Sequence, residues 1–313
     1  MEPIIIFGPT GHVGSAVALS IPSFTSTTPT ILAMRTPSKP IPGLTPTLES
    51  SHPYHRIHAN LSSPSTLTAA ISSTSAKRAF LYIDHTSPDH MLSAIQALKA
   101  AGITFVVFLS SGSLRGDPAT TNPKELIAYA HAKVELNLQS VFGKENVVPI
   151  RPAFFASNAF WWKSMIPTGK VKVFAPDIVM DWITPGDIGR VAASILVGGT
   201  KEGYEEAVWL VGPQKVSVGE GLGRIVKAVT GREGEIVEVG EEEGVEMYVE
   251  AGVPRVMAEY LVESFGKLKE MQGGGGGFLT EEQWEEGARA VEVYTGRPAT
   301  SLEGWIEENK HEF

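Results

Sequence analysis

Short apolar runs alternate with amphipathic stretches along the first half of the chain. Ile4–Phe7 is four consecutive apolar residues ended by a glycine, the pattern of a strand buried on both faces. Val13–Ile21 predicts a helix, Thr30–Met34 a second strand, Ile57–Leu61 a third and Phe80–Ile83 a fourth. Between Met91 and Ala100, the side chains of Met91, Leu92, Ile95 and Leu98 share one helical face, and Gly102 follows as a stop. Ile103–Leu109 is rich in β-branched and aromatic residues, as a strand requires. Leu126–Phe142 predicts a long helix and Val147–Ile150 a further strand. Strands alternating with helices imply a parallel sheet with helices on both faces.

After Pro152 the pattern loosens. Ile188–Val197 predicts a helix with Asp187 as its cap. Val208–Val211 predicts a strand. Ser217 caps a helix running to about Val229, Glu220 completes a capping box and Gly231 ends the helix. Acidic helices follow. Gly273–Gly277, five consecutive glycines, is expected to be a flexible surface connector. There is no internal repeat.

Composition narrows the classes. The 313 residues are 42% hydrophobic, ample for a large core, and contain no cysteine. Disulfides, thiolate zinc sites and cysteine nucleophiles are excluded. The apolar run at the N-terminus is too short for a signal-peptide core and has no basic region before it. No stretch approaches the roughly 20 apolar residues that span a membrane. The expectation is a soluble, cytoplasmic protein without a membrane partner. The net charge of −9 is unevenly placed: residues 1–170 carry a balance of +5 and residues 171–313 one of −14. An acidic second half argues against a nucleic-acid partner, and a mildly basic first half suits an anionic cofactor.

Gly8-Pro9-Thr10-Gly11-His12-Val13-Gly14 follows the first strand directly and opens the first helix. This is where a dinucleotide site needs its glycines: Gly8 for the sharp turn, Gly11 for close approach of the pyrophosphate, Gly14 for helix–strand packing. The helix N-terminus adds free N–H groups and a positive dipole end. NAD sites place a carboxylate at the end of the second strand for the ribose 2′-hydroxyl. Here that segment reads Ala33-Met34-Arg35-Thr36-Pro37-Ser38-Lys39, and no carboxylate occurs before Glu49. Arg35 and Lys39 suit a 2′-phosphate, so NADP(H) is expected in preference to NAD(H).

Tyr129 and Lys133 lie four residues apart in the long helix and share one face. A nearby ammonium favours the phenolate, and such a tyrosine can exchange a proton with a carbonyl or alcohol oxygen. Ser111, just after the fifth strand, can hydrogen-bond the same oxygen. The competing reading is a partly buried tyrosine beside a surface lysine. His131 lies off that face; a rotated helix would make it the acid–base group, and otherwise it is a polar helix residue. His52, His55 and His58 are spaced by three, but no nearby carboxylate completes a metal site, and no metal is expected.

With these pieces the chain resembles the atypical short-chain dehydrogenase/reductase superfamily and, within it, the NmrA-like group common in fungi. The matching segments are the glycine turn, Arg35 with Lys39, Asn60-Leu61, Phe108-Leu109-Ser110-Ser111, and Tyr129 to Glu135. Further along they are Arg151-Pro152-Ala153-Phe154-Phe155-Ala156-Ser157-Asn158, Asp187-Ile188-Gly189-Arg190, and Val211-Gly212-Pro213 followed by Ser217 and Glu220.

The resemblance implies a Rossmann-type doubly wound α/β sheet with a smaller C-terminal substrate-covering part. The core would be residues 1–155, with 170–215 returning to it; residues 156–169 and 216–313 would form the smaller part. Asn60, Leu61, His85, Ser110, Lys133, Pro152, Ala153 and Phe154 join the cofactor residues on that basis. Phe155, Asn158, Phe160, Trp161 and Trp162 would face the substrate, or else belong to the core. If they face it, the substrate is flat and largely apolar.

The activity implied is NADPH-dependent reduction of a carbonyl, imine or activated double bond in a small aromatic or polyketide-like metabolite, of the kind made in secondary metabolism. The family also contains NADP(H)-sensing regulators that bind a protein partner without turnover, and a redox-neutral isomerase or cyclase is a third alternative.

Overall fold

The computed structural model describes residues 2–204, 206–273 and 279–313. In chain order it begins β1 (Ile4–Phe7), α1 (His12–Ser20), β2 (Thr30–Met34), α2 (Pro46–Ser51), β3 (Tyr54–His58), α3 (Pro64–Thr74), β4 (Arg78–Tyr82), α4 (Leu92–Ala101), β5 (Phe105–Leu109), α5 (Leu126–Phe142) and β6 (Val147–Pro152). It continues β7 (Lys170–Phe174), β8 (Val179–Met180), α6 (Pro185–Gly198), β9 (Val208–Leu210), β10 (Val216–Ser217), α7 (Val218–Thr230), β11 (Glu235–Val239), α8 (Glu241–Glu250), α9 (Arg255–Gly273), α10 (Glu281–Thr295) and α11 (Leu302–Asn309).

The chain divides into two compact units. One comprises Met1–Ala153, Pro185–Leu210 and Arg289–Pro298; the other comprises Phe154–Thr184, Val211–Ala288 and Ala299–Phe313. The first holds a seven-stranded parallel sheet of order β3-β2-β1-β4-β5-β6-β9. This is a Rossmann-type sheet whose order reverses between β1 and β4. Every residue of β1 and β2 is buried, as a sheet covered on both faces demands. One core cluster joins Ile5, Phe7 and Ile31 of the strands to Leu67, Ile71, Ile95, Leu98 and Leu138 of α3, α4 and α5. On α1, Ala16 meets α6 so closely that a Cβ on Gly189 would stand 2.4 Å from the Ala16 Cβ. The Asp187-Ile188-Gly189 segment is thus a helix-packing site.

The second unit pairs β7 with β11 in parallel and β8 with β10 antiparallel. Trp162, Trp182 and Tyr248 are among its fully buried side chains.

Several local expectations change. The third strand runs Tyr54–His58, earlier than Ile57–Leu61, because Leu61 turns into the core beside α3. The α3 helix was invisible to the hydrophobic pattern: only Leu67, Ala70 and Ile71 are buried, amid serines and threonines. Asp187 does not cap α6; it lies inside the helix, fully buried, and pairs with Arg190. Ser217 does cap α7, accepting from the Glu220 N–H at 3.1 Å, but the Glu220 carboxylate pairs with Arg224 at 2.6 Å. Gly273 closes α9, and Gly274–Gly277 lie outside the described residues. Among the described residues no helix is long and apolar enough to cross a membrane.

Candidate active site

The glycine turn is specified by backbone sterics. Gly8 has φ +69°, in the left-handed region. The Gly11 N–H donates to the Gly8 carbonyl at 3.1 Å, and the Ser15 N–H to the Gly11 carbonyl at 2.9 Å. A Cβ at Gly14 would sit 2.1 Å from the Gly8 oxygen, so no side chain fits. A Cβ at Gly11 would meet nothing nearer than 3.6 Å, so the space before it is open to a ligand. Gly11 is the N-cap of α1 and offers no side-chain bond to the first turn, where helix N–H groups point outward. Pro9 and Val13 are buried, Thr10 is half-buried and His12 is exposed. The turn lies where the sheet order reverses, the place open α/β sheets bind ligands. These features fit a dinucleotide pyrophosphate.

Arg35 and Lys39 follow β2 and are exposed. Their loop is tied down by Arg56, whose Nη1 donates to the Pro37 and Lys39 carbonyls at 3.1 and 2.9 Å. Arg56 also grips Glu49 with two nitrogens, at 2.5 and 2.9 Å. That bond, outweighing partial burial, holds the Glu49 carboxyl below its ordinary pKa. The first carboxylate after β2 is therefore committed to an arginine. Arg56 was not anticipated. Asn60 braces the next turn, its Oδ1 accepting from the Ser62 N–H at 3.2 Å, while Leu61 belongs to the core.

The loop after β4 is stiffened by short side-chain bonds. Asp84 accepts from Ser62 and Thr86; with His85 beside it these outweigh burial and lower its pKa. Asp89 accepts from Ser93 and Ser87, which hold it down at about 2. Asn137 of α5 donates to the Asp89 and His90 carbonyls at 3.2 and 3.0 Å. His85 stands edge-on to His131 with ring centroids 5.9 Å apart. Desolvation lowers the His85 pKa against the pull of Asp84.

On α5, Tyr129 and Lys133 share a face as expected, the Lys133 Nζ lying 5.9 Å from the tyrosine ring centroid. His90 meets the same ring edge-on at 6.0 Å. His131 faces inward, against His85 and Phe108. Its Nδ1 lies 2.8 Å from the Ile127 carbonyl, so that nitrogen carries the proton. Burial lowers its pKa to about 4; the ring is neutral near pH 7 and Nε2 is an acceptor.

Ser111 bonds Ser113 at 2.8 Å, and Leu114, three residues on, packs against Ala128 and Ala132 of α5. Ser110 is engaged elsewhere: its Oγ donates to the buried Glu135, which also pairs with Arg151 at 2.6 Å. An acidic residue in the apolar stripe Ala128, Ala132, Glu135, Leu138 was a readable signal of such a partner. The Gly112 N–H donates to the Pro152 carbonyl at 2.8 Å, holding the chain after β5 beside β6, and the Ala153 N–H donates to the Leu210 carbonyl at 3.0 Å, holding the end of β6 beside β9.

In the second unit Phe154 is buried, 5.2 Å from Trp182 and 6.4 Å from Trp161 by ring centroids. Phe160 stacks on Phe313 at 4.9 Å. Trp162 is core, its Nε1 donating to the Lys172 carbonyl at 2.9 Å. Phe155, Asn158 and Trp161 remain half-buried. Asp181 was missed entirely. It is buried and accepts from the N–H groups of Phe154, Ile183 and Gly212 at 2.8, 3.2 and 2.9 Å. Burial nevertheless raises its pKa to about 6. The Gly212 Cβ position lies 1.9 Å from the Asp181 carbonyl oxygen, which explains the glycine of the Gly-Pro segment.

Over 325 residues, 97% of this chain and 95% of the relative, the sequence is 32% identical to a nitrogen metabolite regulation-like protein, bik4, of Gibberella fujikuroi. The chain belongs to the NmrA-like family. No family model matches it. An NADPH-dependent quinone oxidoreductase of Escherichia coli, complexed with NADPH, has the same fold: TM-score 0.71, 18% identity, 97% of this chain and 99% of that one. So does the Citrobacter sp. triphenylmethane reductase complexed with NADP(H), at TM-score 0.70 and 17% identity over 97% and 99%. Within this NmrA-like chain, the Glu135–Arg151 pair and Asp181 hold family segments in place, joining α5 to β6 and Asp181 to the Gly212 N–H.

Proposed function

We propose that this NmrA-like protein is an NADPH-dependent reductase of a small, largely apolar or aromatic metabolite bearing a carbonyl, imine or activated double bond. The observation that carries the reading is the open glycine turn at the sheet's reversal point, with Arg35 after β2 and Glu49 held by Arg56. The similar fold of a quinone oxidoreductase complexed with NADPH and a triphenylmethane reductase complexed with NADP(H) supports it. Gly8 to Gly14 would hold the pyrophosphate, and Arg35 with Lys39 the 2′-phosphate. NADPH supplies a hydride when bound. Tyr129 then delivers the proton to the substrate oxygen or nitrogen, Lys133 stabilises the phenolate left behind, and Ser111 hydrogen-bonds the same atom. His131, neutral with Nδ1 occupied, offers Nε2 as an acceptor.

The test is NADPH oxidation with quinones, whose carbonyl oxygen must gain a proton as the hydride arrives. Tyr129→Phe should keep NADPH affinity and lose turnover by about 100-fold; full activity in that variant would contradict the assignment. The name of the Gibberella relative favours one second reading, a regulator that binds NADP(H) without turnover. It predicts tight cofactor binding, no oxidation with any acceptor, and a protein partner whose affinity changes with cofactor.

A further inference from the structure

Tyr82 closes β4, the strand beside β1 where the sheet order reverses. Its ring lies on the phosphate turn: a Cβ built on Gly8 would stand 2.5 Å from its Cε1 and 3.0 Å from its Cδ1. Gly8 is thus needed twice, for its positive φ and for the ring against it. The preceding residues Ala79, Phe80 and Leu81 are buried, yet Tyr82 is 37% exposed. A large aromatic left open at a ligand crevice has an apolar face and a hydroxyl to offer. Burial of its inner face raises the phenol's pKa, Arg35 acts against that shift and Asp84 with it. The hydroxyl is therefore a protonated donor within electrostatic reach of Arg35.

We propose that Tyr82 is a cofactor-specificity residue: its ring flanks the adenosine ribose over Gly8, and its hydroxyl joins Arg35 in holding the 2′-phosphate. The inference rests on the NADPH reading above and adds a second determinant of it, on a different strand from Arg35.

Calorimetric titration of the full chain with NADPH, NADH and 2′-AMP tests it. Tyr82→Phe should weaken NADPH and 2′-AMP about tenfold, the size of one hydrogen bond to a charged group, and leave NADH within about twofold. Tyr82→Ala should weaken all three, because the flanking ring is gone. Unliganded melting curves establish that both variants fold. Unchanged NADPH affinity in Tyr82→Phe, or tighter binding in Tyr82→Ala, overturns the inference while the cofactor reading stands. A wild-type protein that binds neither dinucleotide overturns both.

Discussion

The glycine turn and the Tyr129–Lys133 face of α5 lie in the same unit and are built by opposite means. The turn is backbone: Gly8 is held by a positive φ and Gly14 by a carbonyl 2.1 Å from any Cβ it might carry. The α5 face is side chain: Tyr129, His131 and Lys133 project in two directions from one helix, and each has chemistry of its own. Steric requirements admit one residue type and one role. Titratable groups admit several, and which of them acts depends on what is bound. The contrast separates what this fold must do from what it has been adapted to do.

The sharpest break of that contrast is at the turn. Gly14→Ala should abolish measurable dinucleotide binding, a loss of at least about 100-fold, because the turn cannot form around a Cβ. Gly11→Ala should leave the melting temperature near wild type and weaken dinucleotides selectively, since its Cβ meets nothing nearer than the Gly8 oxygen at 3.6 Å and otherwise points into open space. Titration alongside thermal melting checks both. If Gly14→Ala bound NADPH normally, the steric account of the turn would be wrong.

A smaller effect tests the buried titratable groups. His131 has a folded pKa of about 4 against an ordinary 6.5, so it stays neutral while the unfolded chain gains a proton. Its contribution is full above pH 6.5 and is lost as pH falls toward 4, by about 3 kcal/mol in all. Asp181 runs the other way. Its folded pKa of about 6 exceeds the ordinary 3.8, so its contribution is full below pH 3.8 and is lost as pH rises through 6, by a similar amount. Urea titrations across this window should show His131→Gln relatively more stable than its parent on acidification. Asp181→Asn should gain, relative to its parent, as pH rises. Parallel pH curves for parent and variants would contradict both assignments.

Much of this was legible in the sequence. Strands buried on both faces betray themselves as apolar runs, so β1, β2 and the extent of α5 were readable from Ile4–Phe7, Thr30–Met34 and Leu126–Phe142. The α3 helix was not, because a helix needs only one thin apolar stripe and its other faces are serine and threonine. At the site, residues acting through the backbone announced themselves as glycines. Arg56, Tyr82 and Asp181 did not: each acts on a segment distant in sequence, Arg56 on the loop after β2, Tyr82 on Gly8 and Asp181 on Gly212. Only the pairing of strands brings those segments together.

Arg35 and Lys39 are proposed to make the crevice select a dinucleotide bearing a 2′-phosphate. Affinities of wild type and Arg35→Ala for NADPH and NADH, measured side by side by calorimetry, test it most directly. Wild type should bind NADPH more tightly than NADH, and Arg35→Ala should weaken NADPH by about tenfold or more while NADH changes by less than about twofold. Equal losses for the two cofactors, or a wild type that prefers NADH, would contradict it.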